Sequence, residues 1–242
     1  MSLFEDTNPH ALKDLLAEVH SGQMVLPDFQ RDFVWEPGAT RELIVSIANN
    51  YPAGSLLRVR DLQRAFVARE FEGAPKLNGV QHTFLMLDGQ QRMTSLYQAF
   101  FGEGEHRYFL NIGKLFETAD FDEALFYERT TTKAVKRLAD VEEQHKAMIL
   151  PLSALKTGAG GYLKWVTSLI QKRTKDITER AASKQLDGDE LAAALQENQQ
   201  LQNRLQSIHD QWINTIDDYR FPVVSSLPGD DLLGLGSFGG CS

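Results

Sequence analysis

The feature that most constrains this chain is an apolar strand that runs straight into a helix through a single Asp–Gly step. His82-Thr83-Phe84-Leu85-Met86-Leu87 reads as a buried strand and Asp88-Gly89 as a sharp turn. Gln90-Gln91-Arg92-Met93-Thr94 opens a helix predicted to reach about Phe101, with Met93, Leu96, Tyr97 and Phe100 facing inward. Such a junction aims free backbone N–H groups and the positive helix end at one point, which makes it a ready anion site. Arg92, in the first turn, is a candidate phosphate clamp. Asp88 is a candidate to hold a magnesium ion or to orient a water. Gln90 and Gln91 are candidates to donate to phosphate or to position a nucleophile. The plainer alternative is that Asp88 only caps the helix and its polar neighbours face water.

Around this junction the first 112 residues alternate helix and strand. Thr7-Asn8-Pro9 is predicted to open a helix with Leu12, Leu15, Leu16 and Val19 on one face and Gly22 at its end. Met24-Val25-Leu26 reads as a strand stopped by Pro27, about Ala39 to Asn50 as a helix, and Ser55 to Arg60 as a strand after the turn Tyr51-Pro52-Ala53-Gly54. Arg69 to Gln81 reads as a surface loop and His106 to Ile112 as a strand. Helical spacing then takes over: Tyr162, Val166, Leu169, Arg173 and Ile177, the turn Asp187-Gly188-Asp189, and a stripe through Leu191, Leu195, Leu201, Leu205, Ile208, Trp212, Ile216 and Tyr219. These form an expected antiparallel helix pair. The glutamines 196, 199, 200, 202 and 206 fit its exposed face, and Arg220 to Val224 reads as a last strand. The expected architecture is therefore α+β: a core over 1–115, a helical subdomain over 116–228 with a returning strand, and a Gly-rich tail over 229–242 that is either flexible or non-native.

Composition narrows the function classes. With 242 residues, 42% hydrophobic and 24% charged, the chain reads as globular rather than disordered or fibrous. Its apolar runs fall far short of the roughly 20 residues that span a bilayer. The opening Met1 to Asp6 has no secretory pattern, and the one cysteine, Cys241, supports neither an intramolecular disulfide nor a zinc site, so the cytoplasm is expected. Net charge is −8, which excludes a wholly basic nucleic-acid coat. Residues 156–184 nevertheless carry seven cations and two acids, whereas 185–242 carry nine acids and two arginines. Either two helices of opposite sign pack together, or Lys164, Lys172, Arg173 and Lys175 are candidate DNA contacts.

A second motif, Pro27-Asp28-Phe29-Gln30-Arg31-Asp32-Phe33-Val34-Trp35, interleaves three aromatics with Gln30 and Arg31. By themselves the aromatics read as core anchors of a loop. Together, Pro-x-x-Gln-Arg-x-x-x-Trp and Asp-Gly-Gln-Gln-Arg-x-Thr resemble the N-terminal domain of GmrSD-type restriction proteins, a family similar in fold to ParB and sulfiredoxin. The likeness covers about Leu12 to Phe101 well, and Phe109 with Phe221 to Val224 loosely. It implies a prokaryotic defence protein acting on modified or foreign DNA, with a domain that binds and hydrolyses a nucleoside triphosphate with Mg2+. The implied phosphate-binding residues are Gln30, Arg31, Gly89, Gln90, Arg92 and Thr94; the implied catalytic residues are Asp88, Gln91 and Arg92, with Asp88 as metal ligand.

The chain departs from the family beyond the Phe-Pro-Val-Val strand. The following helix, the Asn-x-x-Gly turn and the nuclease domain of His-Asn type are not found, and His10, His20, His82, His106, His145 and His209 are scattered. The chain is therefore expected not to cut DNA by itself, and to need a nuclease subunit or a missing C-terminal domain. Two rivals stay open. One is a non-hydrolysing nucleotide or DNA sensor. The other is a partner-docking protein that uses the Leu201–Tyr219 stripe. Peroxiredoxin repair of the sulfiredoxin kind is not expected, because it uses a cysteine near the phosphate site and the sequence has Cys241 alone.

Overall fold

The computed structural model describes residues 4–61, 66–183 and 185–226. The Gly-rich tail and Cys241 lie outside the described residues. Element order is β1 (Phe4–Ala11), α1 (Leu12–Ser21), β2 (Met24–Pro27), α2 (Pro37–Ala48), β3 (Leu56–Arg60), β4 (Ala68–Arg69), β5 (Phe84–Asp88), α3 (Gln90–Phe101) and β6 (His106–Asn111). Then follow α4 (Ile112–Thr118), α5 (Phe121–Ala124), β7 (Leu125–Arg129), α6 (Lys133–Arg137), α7 (Val141–Ala147), β8 (Ile149–Pro151) and a 3-10 segment (Leu152–Thr157). The chain continues with α8 (Ala159–Ala182), α9 (Gly188–Ile208), a π-helical turn (His209–Ile213), α10 (Asn214–Asp218) and β9 (Arg220–Ser226). The fold is mixed α+β. Among the described residues no helix is long and apolar enough to cross a membrane.

Six strands form one sheet in the order β1-β9-β3-β5-β2-β4, and β7-β6-β8 form a second. Side chains alternate across the large sheet as its pleat requires. Met24, Leu26 and Met86 join the main core under α1, α2 and α3, whereas Val25, Val59 and Leu85 point the other way and are covered by Phe66, Leu77 and Leu87. The main core continues from Leu15, Ile44 and Leu96 through Leu110 and Leu150 to Tyr162, Leu205, Trp212 and Phe221.

Three sequence expectations change. Thr7-Asn8-Pro9 does not open a helix: these residues sit in β1, and α1 begins at Leu12 without a side-chain cap. β1 is an edge strand, where a proline costs least, and Pro9 lies directly opposite Pro222 of β9. The stretch from Phe121 to Pro151 is not purely helical, because β7 and β8 flank β6. Finally, the long stripe is the chain's own core and offers no docking face: Leu205, Ile208, Trp212, Ile213 and Ile216 are all buried. Its first turns, with Leu191 half-buried and Leu195 exposed, are the part that reaches out of that core.

Candidate functional site

Strand direction brings the two motifs together. β2 and β5 are parallel neighbours, with Met24 opposite Phe84 and Val25 opposite Leu85. Both therefore leave the sheet at the same edge, one into residues 28–36 and the other into Gly89 and α3. The carboxyl ends of parallel strands are where open α/β sheets place ligands. β3 runs antiparallel to β5, so the turn that precedes it, Tyr51 to Gly54, reaches the same edge.

A cleft of about 450 Å3 opens there, lined by Phe29, Gln30, Arg31, Trp35, Leu87, Asp88, Gly89, Gln90, Gln91 and Arg92. Gly89 is the residue before α3 and has φ +95°. A Cβ at that position would lie 2.3 Å from Cδ2 of Leu56, so any other residue strains both the backbone and its neighbour. No side chain caps α3. Asp88 is not the cap: it is 71% exposed at the cleft rim, with Arg92 Nη2 3.5 Å from its Oδ2. The first-turn N–H groups of α3 are thus left facing the cleft edge with no competing side chain from the protein.

The two glutamines of α3 do not face water. Gln90 and Gln91 are buried, and their carboxamides hold the 28–36 segment. Gln90 Nε2 donates to Arg31 O at 2.6 Å; Gln91 Nε2 donates to Asp32 O at 3.0 Å, and Gln91 Oε1 accepts from Val34 N at 2.9 Å. Gln30 reaches back the other way, with Nε2 donating to both Met86 O and Leu87 O at 2.9 Å, and its buried Oε1 left without a donor. All three glutamines therefore tie one motif to the other, and Gln30 spends both side-chain N–H groups in doing so.

The cations differ. Arg31 is exposed, and its guanidinium has no partner among the described residues. Arg92 is largely buried and anchored, donating from Nη1 to Ala53 O at 2.8 Å. Gly54, with φ +82°, leaves the room this requires, since a Cβ there would lie 2.3 Å from Arg92 Nη1. Ala53 is itself fixed: its N–H donates to the Tyr219 hydroxyl, which in turn donates to Tyr51 O.

Several expected residues fall elsewhere. Thr94 does not line the cleft; it is buried on the inner side of α3 with its hydroxyl unpartnered. The four cations of α8 do not form a free face. Lys172 pairs with Glu142 at 2.8 Å, Lys175 with Glu179 at 3.7 Å, and Arg173 donates to Asn198 Oδ1 of α9. Arg173 lies half a turn from Lys164 on a helix of 3.6 residues per turn. Phe29 is not a core anchor, being 67% exposed, whereas Trp35 does pack against the core. Arg69, read as the start of a loop, proves to be a second brace: its Nη2 donates to Gln30 O and Arg31 O. Neither its partners nor those of Ala53 are close in sequence, so no local signal could have found them.

The chain is similar to known proteins over most of its length. The profile described as "GmrSD restriction endonuclease, N-terminal domain" matches residues 12–227. The chain is 30% identical over 185 residues to the uncharacterized protein MJ0686 of Methanocaldococcus jannaschii, covering 68% of this chain and 31% of that protein. It thus spans about a third of the length of the curated relative it matches.

Proposed function

Because the chain belongs to the GmrSD restriction endonuclease N-terminal domain family, we propose that it is the nucleotide-handling module of a prokaryotic DNA-restriction system. In this reading it binds a nucleoside triphosphate in the cleft at the start of α3 and hydrolyses it. Hydrolysis licenses DNA cleavage by a nuclease domain or partner subunit. The observation that supports this most is the uncapped start of α3, faced by Arg31 and Arg92 and braced by both motifs. Positioning and charge stabilisation are most of what a protein supplies to phosphoryl transfer. Phosphate oxygens would take the N–H groups of Gly89, Gln90 and Gln91, with Arg31 as the exposed cation and Arg92 as the anchored one. Gln30, Gln90 and Gln91 are positioning residues here. Thr94 has no part.

The site's one lining carboxylate, among the described residues, is Asp88. No group of three or more His, Cys, Asp or Glu is placed to hold a metal among the described residues. That donor set fits Mg2+, which is commonly held by one or two carboxylates with waters and substrate phosphates. Asp88 would hold it, and the ion would supply charge neutralisation at the phosphates. We also propose that the sheet around β5 and α3 is a ParB/sulfiredoxin-like core, on the strength of the strand–glycine–helix junction. DNA contact remains part of the proposal for the system rather than for α8, whose cations are mostly paired.

A second reading is a non-hydrolysing nucleotide sensor. It draws on the engagement of both ends of the Gln91 carboxamide, which leaves Asp88 as the one side chain able to direct a water.

The deciding experiment measures binding of, and phosphate release from, GTP, ATP, CTP and UTP with Mg2+, with and without DNA, for the wild type, Asp88→Ala and Arg92→Ala. Arg92→Ala should cost about 1.5–3 kcal/mol of affinity, the worth of a hydrogen bond to a charged group. Turnover lost in both variants supports the hydrolytic reading. Binding without turnover selects the sensor, and no nucleotide binding by the wild type removes the proposal.

A further inference from the structure

The cleft is lined by two kinds of surface. One is polar and cationic: the start of α3, Arg31 and Arg92. The other is aromatic: Phe29 and Trp35. Leaving a phenylalanine in water forgoes the gain of burying it. Phe29 is left 67% exposed, and it lies in the segment that Gln30, Gln90, Gln91 and Arg69 brace most heavily. Its ring meets that of Phe66 in a T-shaped contact, with centroids 6.2 Å apart and planes at 66°, which orients the ring while leaving it mostly exposed. Val67, 70% exposed, continues the same lip, and its carbonyl accepts the N–H of Asp28. A single exposed apolar side chain needs no explanation. An exposed ring held in a fixed orientation, in a cleft of small-molecule size that also offers cations and free N–H groups, matches a ligand with an anionic part and a flat apolar part.

We propose that Phe29, with Trp35 against the core behind the cleft, is the stacking wall for the nucleobase, and that the site tolerates any base. This rests on the nucleotide reading above and deepens it. The tolerance follows from the kind of contact an aromatic ring offers. Stacking uses the face that every base presents, whatever groups its edge carries. The carboxamide nitrogens of Gln30, Gln90 and Gln91 each already donate to a backbone carbonyl, which fixes their orientation. Selection then falls on the phosphates.

The test titrates the full chain by calorimetry, with Mg2+, against ATP, GTP, CTP, UTP and inorganic tripolyphosphate, for the wild type, Phe29→Ala, Phe29→Trp and Arg92→Ala. The four nucleotides should bind within a few-fold of one another. Phe29→Ala should weaken all four by about tenfold or more, the usual loss of one stacked base, and leave tripolyphosphate unchanged. Phe29→Trp should restore binding, and Arg92→Ala should weaken nucleotides and tripolyphosphate alike. The ring is exposed, so Phe29→Ala should keep the wild-type Tm. Unchanged nucleotide binding in Phe29→Ala, or an equal loss for tripolyphosphate, overturns the stacking assignment while the nucleotide reading stands. A strong preference for one base overturns the tolerance. A wild type that binds neither nucleotide nor tripolyphosphate overturns both readings.

Discussion

Gln90 and Gln91 in α3 carry the same carboxamide as Gln196, Gln199, Gln200, Gln202 and Gln206 in α9, and the molecule uses the two sets in opposite ways. Those of α9 all lie in exposed positions, and where they bond they reach three or four residues along the chain, as Gln199 does to Asn203 and Gln206 to His209 and Asp210. Those of α3 are buried and bond backbone 57 to 59 residues away. A glutamine on a solvated helix face trades water for a weak local partner at almost no net gain. The same group in a dry junction cannot lose its partners without stranding them, so it fixes the geometry of whatever it touches.

That contrast can be broken first at the turn that lets α3 begin where it does. Gly89→Ala forces a Cβ into a left-handed backbone and against Leu56, and should cost on the order of 3 kcal/mol of stability. Chemical denaturation reads this directly, and a loss under about 1 kcal/mol would show that the junction relaxes.

The next cut falls between the glutamines themselves. Gln91→Ala strands the N–H of Val34 and the carbonyl of Asp32, and should cost about 2 kcal/mol. Gln200→Ala should stay within about 0.5 kcal/mol, since the site is exposed and alanine favours helix. Equal effects of the two substitutions would erase the distinction.

The smallest effect is one of pH. His145, buried against Trp165 with ring centroids 4.9 Å apart, has its pKa lowered from 6.5, chiefly by burial. The native state refuses a proton that the unfolded chain accepts, so this group's contribution is intact above 6.5 and is lost as pH falls below it. Comparing unfolding at about pH 7.5 and about pH 5.5 should show a smaller acid loss in His145→Gln than in the wild type. An unchanged loss would place the acid sensitivity elsewhere.

What could be read from the residues follows the range of the forces involved. β5, Gly89 and α3 are legible because an apolar run, a glycine and a helical period are all local signals. The same holds for the inward faces of α1 and α2. β1 was not legible: Thr7, Asn8 and Pro9 carry good helix-opening chemistry, and what overrides it is a pairing with β9 some two hundred residues on. The cleft's composition was legible and its division of labour was not. Asp88, Arg31 and Arg92 sit where the motifs suggested. That Gln30, Gln90 and Gln91 line the cleft while their carboxamides brace its walls depends on partners across the sheet edge. Phe29 misled for the opposite reason, since an aromatic near a strand end usually finds cover, and this one is held out of it.

The seating of Arg92 carries a last implication, for the order in which the molecule is made. Every residue lining the cleft has been synthesised by position 92. Arg92 is held by the carbonyl of Ala53, and Ala53 by the hydroxyl of Tyr219. A nascent chain therefore holds every residue of the cleft, and the carbonyl that seats Arg92, before Tyr219 is made to fix that carbonyl's residue. Completion waits for the segment that enters the final strand, so the first-made part of the site is the last to become rigid.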